Sequence, residues 1–164
     1  MRAWAARLAP SATVLDVGAG TGMPLTEALV RAGLRVHASE PSPRLAAAFA
    51  ARHPHVPLTL EAVPSARLFA RRFDGILMVG VLFLLPPTAQ RQTLGRLGRA
   101  LRPGGSLLFS APREAGGWTD VLTGRRSVSL GRAAYEAALG AAGLSCAETH
   151  EDRGGSHYYE AVRR

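Results

Sequence analysis

The stretch Thr13–Leu25, TVLDVGAGTGMPL, decides the fold. Apolar and β-branched residues run into Asp16, and glycines follow at 18, 20 and 22. Such a run reads as a buried strand that breaks sharply into a loop. Glycine turns where other residues cannot and lets the backbone approach a ligand closely. Pro24 then fits the first turn of a helix, where the donor it lacks is not missed. The stretch therefore predicts a strand over Thr13–Gly18 and a helix over Met23–Ala32, stopped by Gly33.

The same alternation continues outward. Arg35–Glu40 reads as a second strand and Pro43–Arg52 as a second helix. Leu58–Val63 is a third strand. Phe73–Leu82 is a fourth, nearly all apolar, as a strand covered on both faces should be. Thr88–Leu101 is a helix with Leu94, Leu97 and Leu101 on one side. RPGG at 102–105 is a turn into a fifth strand, Ser106–Ala111, and Leu130–Ala142 is a further helix. Ser145–Asp152 and His157–Arg163 then read as a hairpin across the glycine-rich link Arg153–Ser156. The expected fold is α/β: a Rossmann-like, doubly wound sheet of seven strands with helices on both faces. It is mostly parallel, with a reversed last strand from the C-terminal hairpin. One domain spans 1–164. The segment Pro112–Ser129 is expected to be a long loop, and loops of that length are usually functional.

Composition narrows the class. Of 164 residues 47% are apolar and 20% charged, which suits a globular domain with a real core. No run reaches the ~18–20 apolar residues of a membrane helix. The start, MRAWAARLAP, lacks the apolar core of a signal peptide, so a cytoplasmic address is expected. Cys146 is the single cysteine, which excludes an internal disulfide and a cysteine-rich metal site, and no metal is expected. The net charge is +8, and all 20 basic residues are arginine. These arginines are spread over the chain without aromatic interleaving. A solvated basic surface is therefore favoured over a nucleic-acid interface.

The glycine spacing bears on the ligand. In an open α/β sheet ligands bind beyond the carboxyl ends of the strands, where strand order reverses. A dinucleotide fingerprint, G-x-G-x-x-G, would place its third glycine at residue 23, which is Met23. The G-x-G-x-G spacing after Asp16 instead resembles motif I of the class I S-adenosylmethionine-dependent methyltransferases. FDGILMVGVLFL resembles that family's fourth strand, and LRPGGSLLFSAP resembles its LKPGG segment. The resemblance runs from about residue 10 to 164 and includes the reversed hairpin strand.

The resemblance implies S-adenosylmethionine as cofactor, which carries an ammonium, a sulfonium, a ribose and an adenine but no phosphate. Gly18, Ala19 and Gly20 would pass beside its amino-acid end, and Asp16 suits the ammonium. Glu40, 22 positions after Gly18, is placed to accept both ribose hydroxyls, and Pro41 to wall one face of the adenine. Glu61, or the backbone at Ala62, would meet the adenine amine, and Val79, late in the fourth strand, would join the cofactor site. The plainer alternatives are that Asp16 caps a loop, that Glu40 is a solvated strand end, and that Glu61 shifts by one residue.

The acceptor side is less defined. The fourth strand ends without the Asn/Asp-Pro-Pro-aromatic motif of amino-methylating enzymes that act on bases, and no Pro-Cys nucleophile is present. Acceptor groups must come from Pro112–Ser129, with Glu114, Trp118, Thr119 and Asp120, or from the hairpin tip near His150 and Asp152. Alternation puts His157 and Tyr159 on one face and Tyr158 and Glu160 on the other. His157 is the leading catalytic candidate; its alternative is an exposed hairpin histidine. Trp118 could equally anchor the loop, and Cys146 reads as core. Only Met1–Leu8 precedes the first strand, so the acceptor site is open, lidded by the long loop, or closed by a partner. The expected function is methyl transfer to O or N of a small molecule. The alternatives are a catalytically silent cofactor-binding subunit and an RNA or DNA methyltransferase.

Overall fold

A computed structural model describes residues 1–164 except 64, 66, 122 and 123. The first half holds α1 (Arg2–Arg7), β1 (Thr13–Val17), α2 (Leu25–Arg31), β2 (Arg35–Ser39), α3 (Pro43–Arg52), β3 (Leu58–Thr59) and β4 (Phe73–Met78). The second holds α4 (Pro87–Ala100), β5 (Leu101–Ser110), β6 (Ala115–Thr119), β7 (Arg126–Leu130), α5 (Arg132–Ala141), β8 (Leu144–Glu151) and β9 (His157–Arg163).

Seven strands form one sheet in the order β3-β2-β1-β4-β5-β9-β8. The pairs from β3 to β5 are parallel; β9 runs antiparallel to both β5 and β8. This is the expected doubly wound sheet with one reversed strand. The chain builds outward from β1 to β3, then returns to place β4 on the other flank of β1. The crevice between the carboxyl ends of β1 and β4 is the topological switch point.

Period-two alternation splits the strands between two cores. Leu15 and Val17, Ile76 and Met78, and Leu107 and Phe109 face α4 and α5, where Leu94, Leu97 and Leu139 meet them. Val14, Leu77 and Leu108 face the other way, toward Trp4 and Leu29. Trp4 lies on the sheet where Gly75 leaves room: a Cβ there would stand 3.0 Å from its ring. Its indole N–H donates to Ser106 Oγ at 2.8 Å. Glu160 takes the Arg7 guanidinium on the same face. The N-terminal helix is thereby pinned across the middle of the sheet.

Five expected elements differ. The turn expected at 102–105 lies inside β5, which starts at Leu101; Gly104 takes φ 75° where the pairing with β4 shifts register. The third strand stops at Thr59, because the chain beyond it folds onto itself: the Glu61 carboxylate accepts the Arg67 N–H at 2.7 Å. The fourth stops at Met78; Gly80 takes φ 73°, and a short 3-10 turn, Leu82–Leu84, follows. The helix expected from Leu130 begins at Arg132, because Gly131 at φ 81° separates it from β7. Finally, Pro112–Ser129 is not irregular. It contains the antiparallel ribbon β6–β7, although residues 122 and 123 at its tip lie outside the described residues. The period-two pattern Ser127-Val128-Ser129-Leu130 marks its second strand, with both serines buried.

Candidate active site

The loop after β1 is held by backbone. The N–H groups of Gly18 and Ala19 both donate to Ser39 O, at 2.7 and 3.1 Å. The three glycines have three different reasons to be glycine. Gly18 sits at φ 70°, and a Cβ would stand 2.3 Å from Val81 Cγ2, so this loop presses on the segment after β4. Gly22, at φ 82°, faces α3 and its cap: a Cβ would stand 2.4 Å from the His53 ring. Gly20, at φ 60°, has nothing within 4 Å of such a Cβ and lines open space.

Glu40 follows β2 and is buried, 5% exposed. Its carboxylate accepts the Gly20 N–H at 2.9 Å through Oε2 and the Ser42 N–H at 2.8 Å through Oε1. A carboxylate offers about four acceptor directions, so each oxygen keeps one for a further donor. Asp16 is deeper, and Thr26 Oγ1 donates to its Oδ2 at 2.6 Å. Burial pushes its carboxyl up to about 6; the Thr26 hydrogen bond opposes this and the nearby Glu40 charge adds to it. Pro41, Glu61 and Ala62 stand exposed beyond β2 and β3. Ser39 Oγ donates to Glu61 O at 2.8 Å, and Ala62 O accepts the Ser65 N–H at 3.1 Å.

A cavity of about 330 Å³ opens beyond the ends of β4 and β5. Val79 and Gly80 form one wall, Phe83 and Trp118 another, and Asp120 and His157 add polar groups. The Gly80 N–H donates to Ser110 Oγ at 2.8 Å, which ties the two strand ends together. The β6–β7 ribbon borders the cavity through Trp118. The Trp118 ring meets Phe83 with centroids 5.5 Å apart, and Gln90 Nε2 donates to Val128 O at 2.7 Å. Both ring nitrogens of His157 are shielded from solvent without a hydrogen-bond partner. Burial first, and the Arg113 charge second, hold its imidazole below the usual 6.5.

The structure thus gathers Val79, Trp118, Asp120 and His157 at one cavity. It leaves Glu114 and Thr119 on the exposed outer ribbon. His150 stacks on Tyr158, centroids 5.0 Å apart, on the face opposite His157 and Tyr159. Asp152 shapes the hairpin turn by accepting the Gly154 and Ser156 N–H groups, both at 2.9 Å. Phe83, Ser110 and Val81 were missing from the residues singled out by sequence. Phe83 carried a signal, being an aromatic just past the fourth strand.

The arginines are less spread in space than along the chain. Arg67, Arg71, Arg72, Arg96 and Arg99 line one concavity of about 340 Å³. Arg71 and Arg72 precede the first residue of β4, whereas the cavity lies past its last. Strand rise alone separates those ends by roughly 20 Å. A cleft of about 460 Å³ between α1 and α2 is lined mainly by Met1, Ala5, Ala6, Met23 and Ala28.

A model of the methyltransferase domain matches residues 1–149. The chain belongs to the methyltransferase domain family. Three solved members show how well the fold is shared. One is the 1,6-didemethyltoxoflavin-N1-methyltransferase of Burkholderia thailandensis, bound to 1,6-didemethyltoxoflavin and S-adenosylhomocysteine. It is 25% identical over 94% of this chain and 72% of its own, with a TM-score of 0.76. The magnesium protoporphyrin IX methyltransferase of Synechocystis, with bound S-adenosylhomocysteine, is 22% identical over 99% of this chain and 80% of its own, TM-score 0.80. A glycopeptide N-methyltransferase complexed with S-adenosylhomocysteine is 22% identical over 99% and 88%, TM-score 0.77. No curated protein sequence matches the chain. The glycine loop meets the segment after β4 at Val81, and the cavity begins at Val79 and Gly80 of that segment.

Proposed function

We propose that the protein transfers the methyl group of S-adenosylmethionine to oxygen or nitrogen of a small molecule. The carrying observation is the pairing of Gly20 with Glu40 across the carboxyl ends of β1 and β2, beside the switch point. The residues present suit the cofactor. Gly20 borders open space, Glu40 keeps acceptor capacity for two ribose hydroxyls, and Pro41 presents an exposed face to an adenine. Gly18 and Ala19 line the path of the amino-acid end, with Asp16 behind them as the counter-charge to its ammonium. Glu61 and Ala62 edge the adenine, and Val79 stands between cofactor and acceptor.

Bound there, S-adenosylmethionine supplies an already activated methyl group. The protein's part is to align an acceptor lone pair with it and keep water out, and such positioning supplies much of the rate. The cavity beside the loop favours an enzyme over a silent cofactor-binding subunit. A small molecule is favoured over nucleic acid because the arginine concavity sits at the opposite end of β4. Among the described residues no helix is long and apolar enough to cross a membrane, and a cytoplasmic setting accords with the single cysteine.

Calorimetric titration tests the reading. Wild-type protein should bind S-adenosylhomocysteine, and Glu40→Ala should weaken binding by about 1–3 kcal/mol, or roughly 5–150-fold. Equal affinity in the two proteins would remove Glu40 from the ribose site.

A further inference from the structure

We propose that the arginine-lined concavity before β4 is a binding site for a small polyphosphate, a run of two or three phosphates recognised by charge and shape alone. This site lies apart from the proposed methyl-transfer site and does not depend on it.

The observation is a gathering of guanidinium groups from two elements. Arg67, Arg71 and Arg72 flank the 3-10 turn Leu68–Ala70, and Arg96 and Arg99 come from the C-terminal end of α4. Together they line about 340 Å³. A second concavity of about 680 Å³ shares Arg96 and Arg99 and adds Arg91. Among the described residues no carboxylate lines either one. Elsewhere arginines are neutralised: Arg7, Arg31, Arg102 and Arg132 pair with carboxylates. Among the described residues Arg67, Arg71, Arg72, Arg91 and Arg99 make no salt bridge. Two neighbouring carboxylates are already engaged. Asp74 accepts the Thr13 N–H at 2.8 Å and the Arg102 guanidinium at 2.6 Å, and Glu61 accepts the Arg67 backbone N–H at 2.7 Å. A cleft lined by one sign of charge focuses its field and concentrates ions of the other sign.

The rim is braced from behind. Arg71 Nη1 donates to His37 Nε2 at 2.8 Å. Arginine has no acceptor, so the imidazole must accept. Burial first, and the Arg71 charge second, hold His37 below the usual 6.5 and keep it in the neutral form that can do so. His37 in turn packs edge-on to Phe69, centroids 4.9 Å apart. Leu68, Phe69 and Ala70 take φ of 49°, 60° and 49°, three residues in a row in a region that side chains disfavour. Backbone held this way clusters at ligand clamps. Here it sets three arginines on one rim, facing two on α4.

The ligand class follows from charge density. The concavity is the size of a small-molecule site. Five full charges around it call for an anion whose own charges lie close together. Each phosphate offers three acceptor oxygens, and the planar guanidinium fork matches them in pairs. An acidic peptide spreads one charge per residue over about 3.3 Å of chain or more. A nucleic-acid strand is held by stacking as well as charge, and among the described residues no lining side chain is aromatic.

Calorimetry on the full chain, with tripolyphosphate as probe, tests the site. Tripolyphosphate should bind at least about 100-fold more tightly than inorganic phosphate, and raising salt from about 50 to 200 mM should weaken it at least about tenfold. The double variant Arg72→Gln/Arg99→Gln leaves the His37 contact intact and should lose at least about 30-fold. Arg44→Gln/Arg52→Gln removes the same charge from exposed positions on α3 and should lose under about threefold. Arg67→Gln/Arg71→Gln is a second concavity variant and should match the first. Saturating S-adenosylhomocysteine should leave tripolyphosphate affinity unchanged within about twofold, because the length of β4 separates the sites.

Equal losses in the α3 and concavity variants would reduce the site to the net charge of the whole surface and overturn it. Hexaglutamate binding as tightly as tripolyphosphate overturns the phosphate class. A short oligothymidylate binding more than about tenfold tighter than tripolyphosphate, and weakened by the same variants, replaces the small ligand with a strand. Competition with S-adenosylhomocysteine would put the phosphates at the glycine loop and overturn the placement. Failure to bind S-adenosylhomocysteine, with tripolyphosphate still bound, counts against the methyl-transfer reading alone.

Discussion

The two sides of the crevice are built differently. The proposed cofactor side is made largely of backbone from two adjacent strand ends: Gly18 and Ala19 bond to Ser39, and Gly20 bonds to Glu40. The proposed acceptor side is made of side chains drawn from far apart: Val79, Phe83, Trp118 and His157 meet only because the ends of three strands, β4, β5 and β9, and a ribbon converge. Backbone donors are the same whatever the sequence, so a cradle of this kind serves one ligand across a family. Side-chain walls change with every substitution, so they suit the part of the site that differs between relatives.

Variants at the loop's packing glycines should give the largest effect and separate fold from ligand. Gly22→Ala adds a Cβ 2.4 Å from the His53 ring at a φ of 82°. Strain and overpacking together should cost about 3–4 kcal/mol in denaturant unfolding. Gly20→Ala, with φ 60° but open space, should cost about 1 kcal/mol. Equal losses at both positions would show that conformation alone, and not contact with α3, selects glycine at 22.

Asp16 gives the next effect, through pH. Its carboxyl is raised from 3.8 to about 6, so between those values the folded state holds a proton that the unfolded chain has lost. Stability should therefore fall as pH rises from about 4 to 6 and then level, by up to about 3 kcal/mol. Asp16→Asn should flatten that slope; urea melts across this range in both proteins would show it. Saturating cofactor, if its ammonium meets Asp16, should shrink the same slope in the wild type.

Crossing the two sides sharpens the contrast further. Glu40→Ala, with its loss of about 1–3 kcal/mol in cofactor affinity, should leave the fluorescence of the cavity's Trp118 unchanged. Phe83→Leu keeps apolar bulk and loses the ring. Losing the ring contact with Trp118 should cost about 0.5–1.5 kcal/mol in denaturant unfolding and nothing measurable in cofactor binding. A Phe83 variant that also loses cofactor would mean that the two sides share one rigid unit.

The placing of Asp16, the glycine loop and Glu40 at neighbouring strand ends is legible because its signals are local. Asp16, the glycine loop and Glu40 lie at the ends of strands whose period-two patterns fix where they stop. The third glycine was read through its spacing as a mark of the ligand. The structure shows a different constraint there, namely that Gly22 lets the loop close onto Phe49 and His53 of the second helical segment. The acceptor side was legible only as a short set of residues, of which Trp118, Asp120 and His157 line the cavity while Glu114, Thr119 and His150 do not. The β6–β7 ribbon escaped because β6 is Ala-Gly-Gly-Trp-Thr, too rich in glycine and too exposed to look like a strand.

By itself, the sequence determined the order of the seven main-sheet strands along the chain and of the helices between them, the switch point after β1 and the reversed final strand. Those follow from hydrophobic periods and turn residues read within a dozen positions. Only the tertiary structure decided which distant atoms meet: Gly18 against Val81, Phe83 against Trp118, His157 unpartnered beside Tyr159, and five arginines around one concavity. A local pattern specifies which face of an element is buried. It does not specify the register and packing that bring one buried face to another.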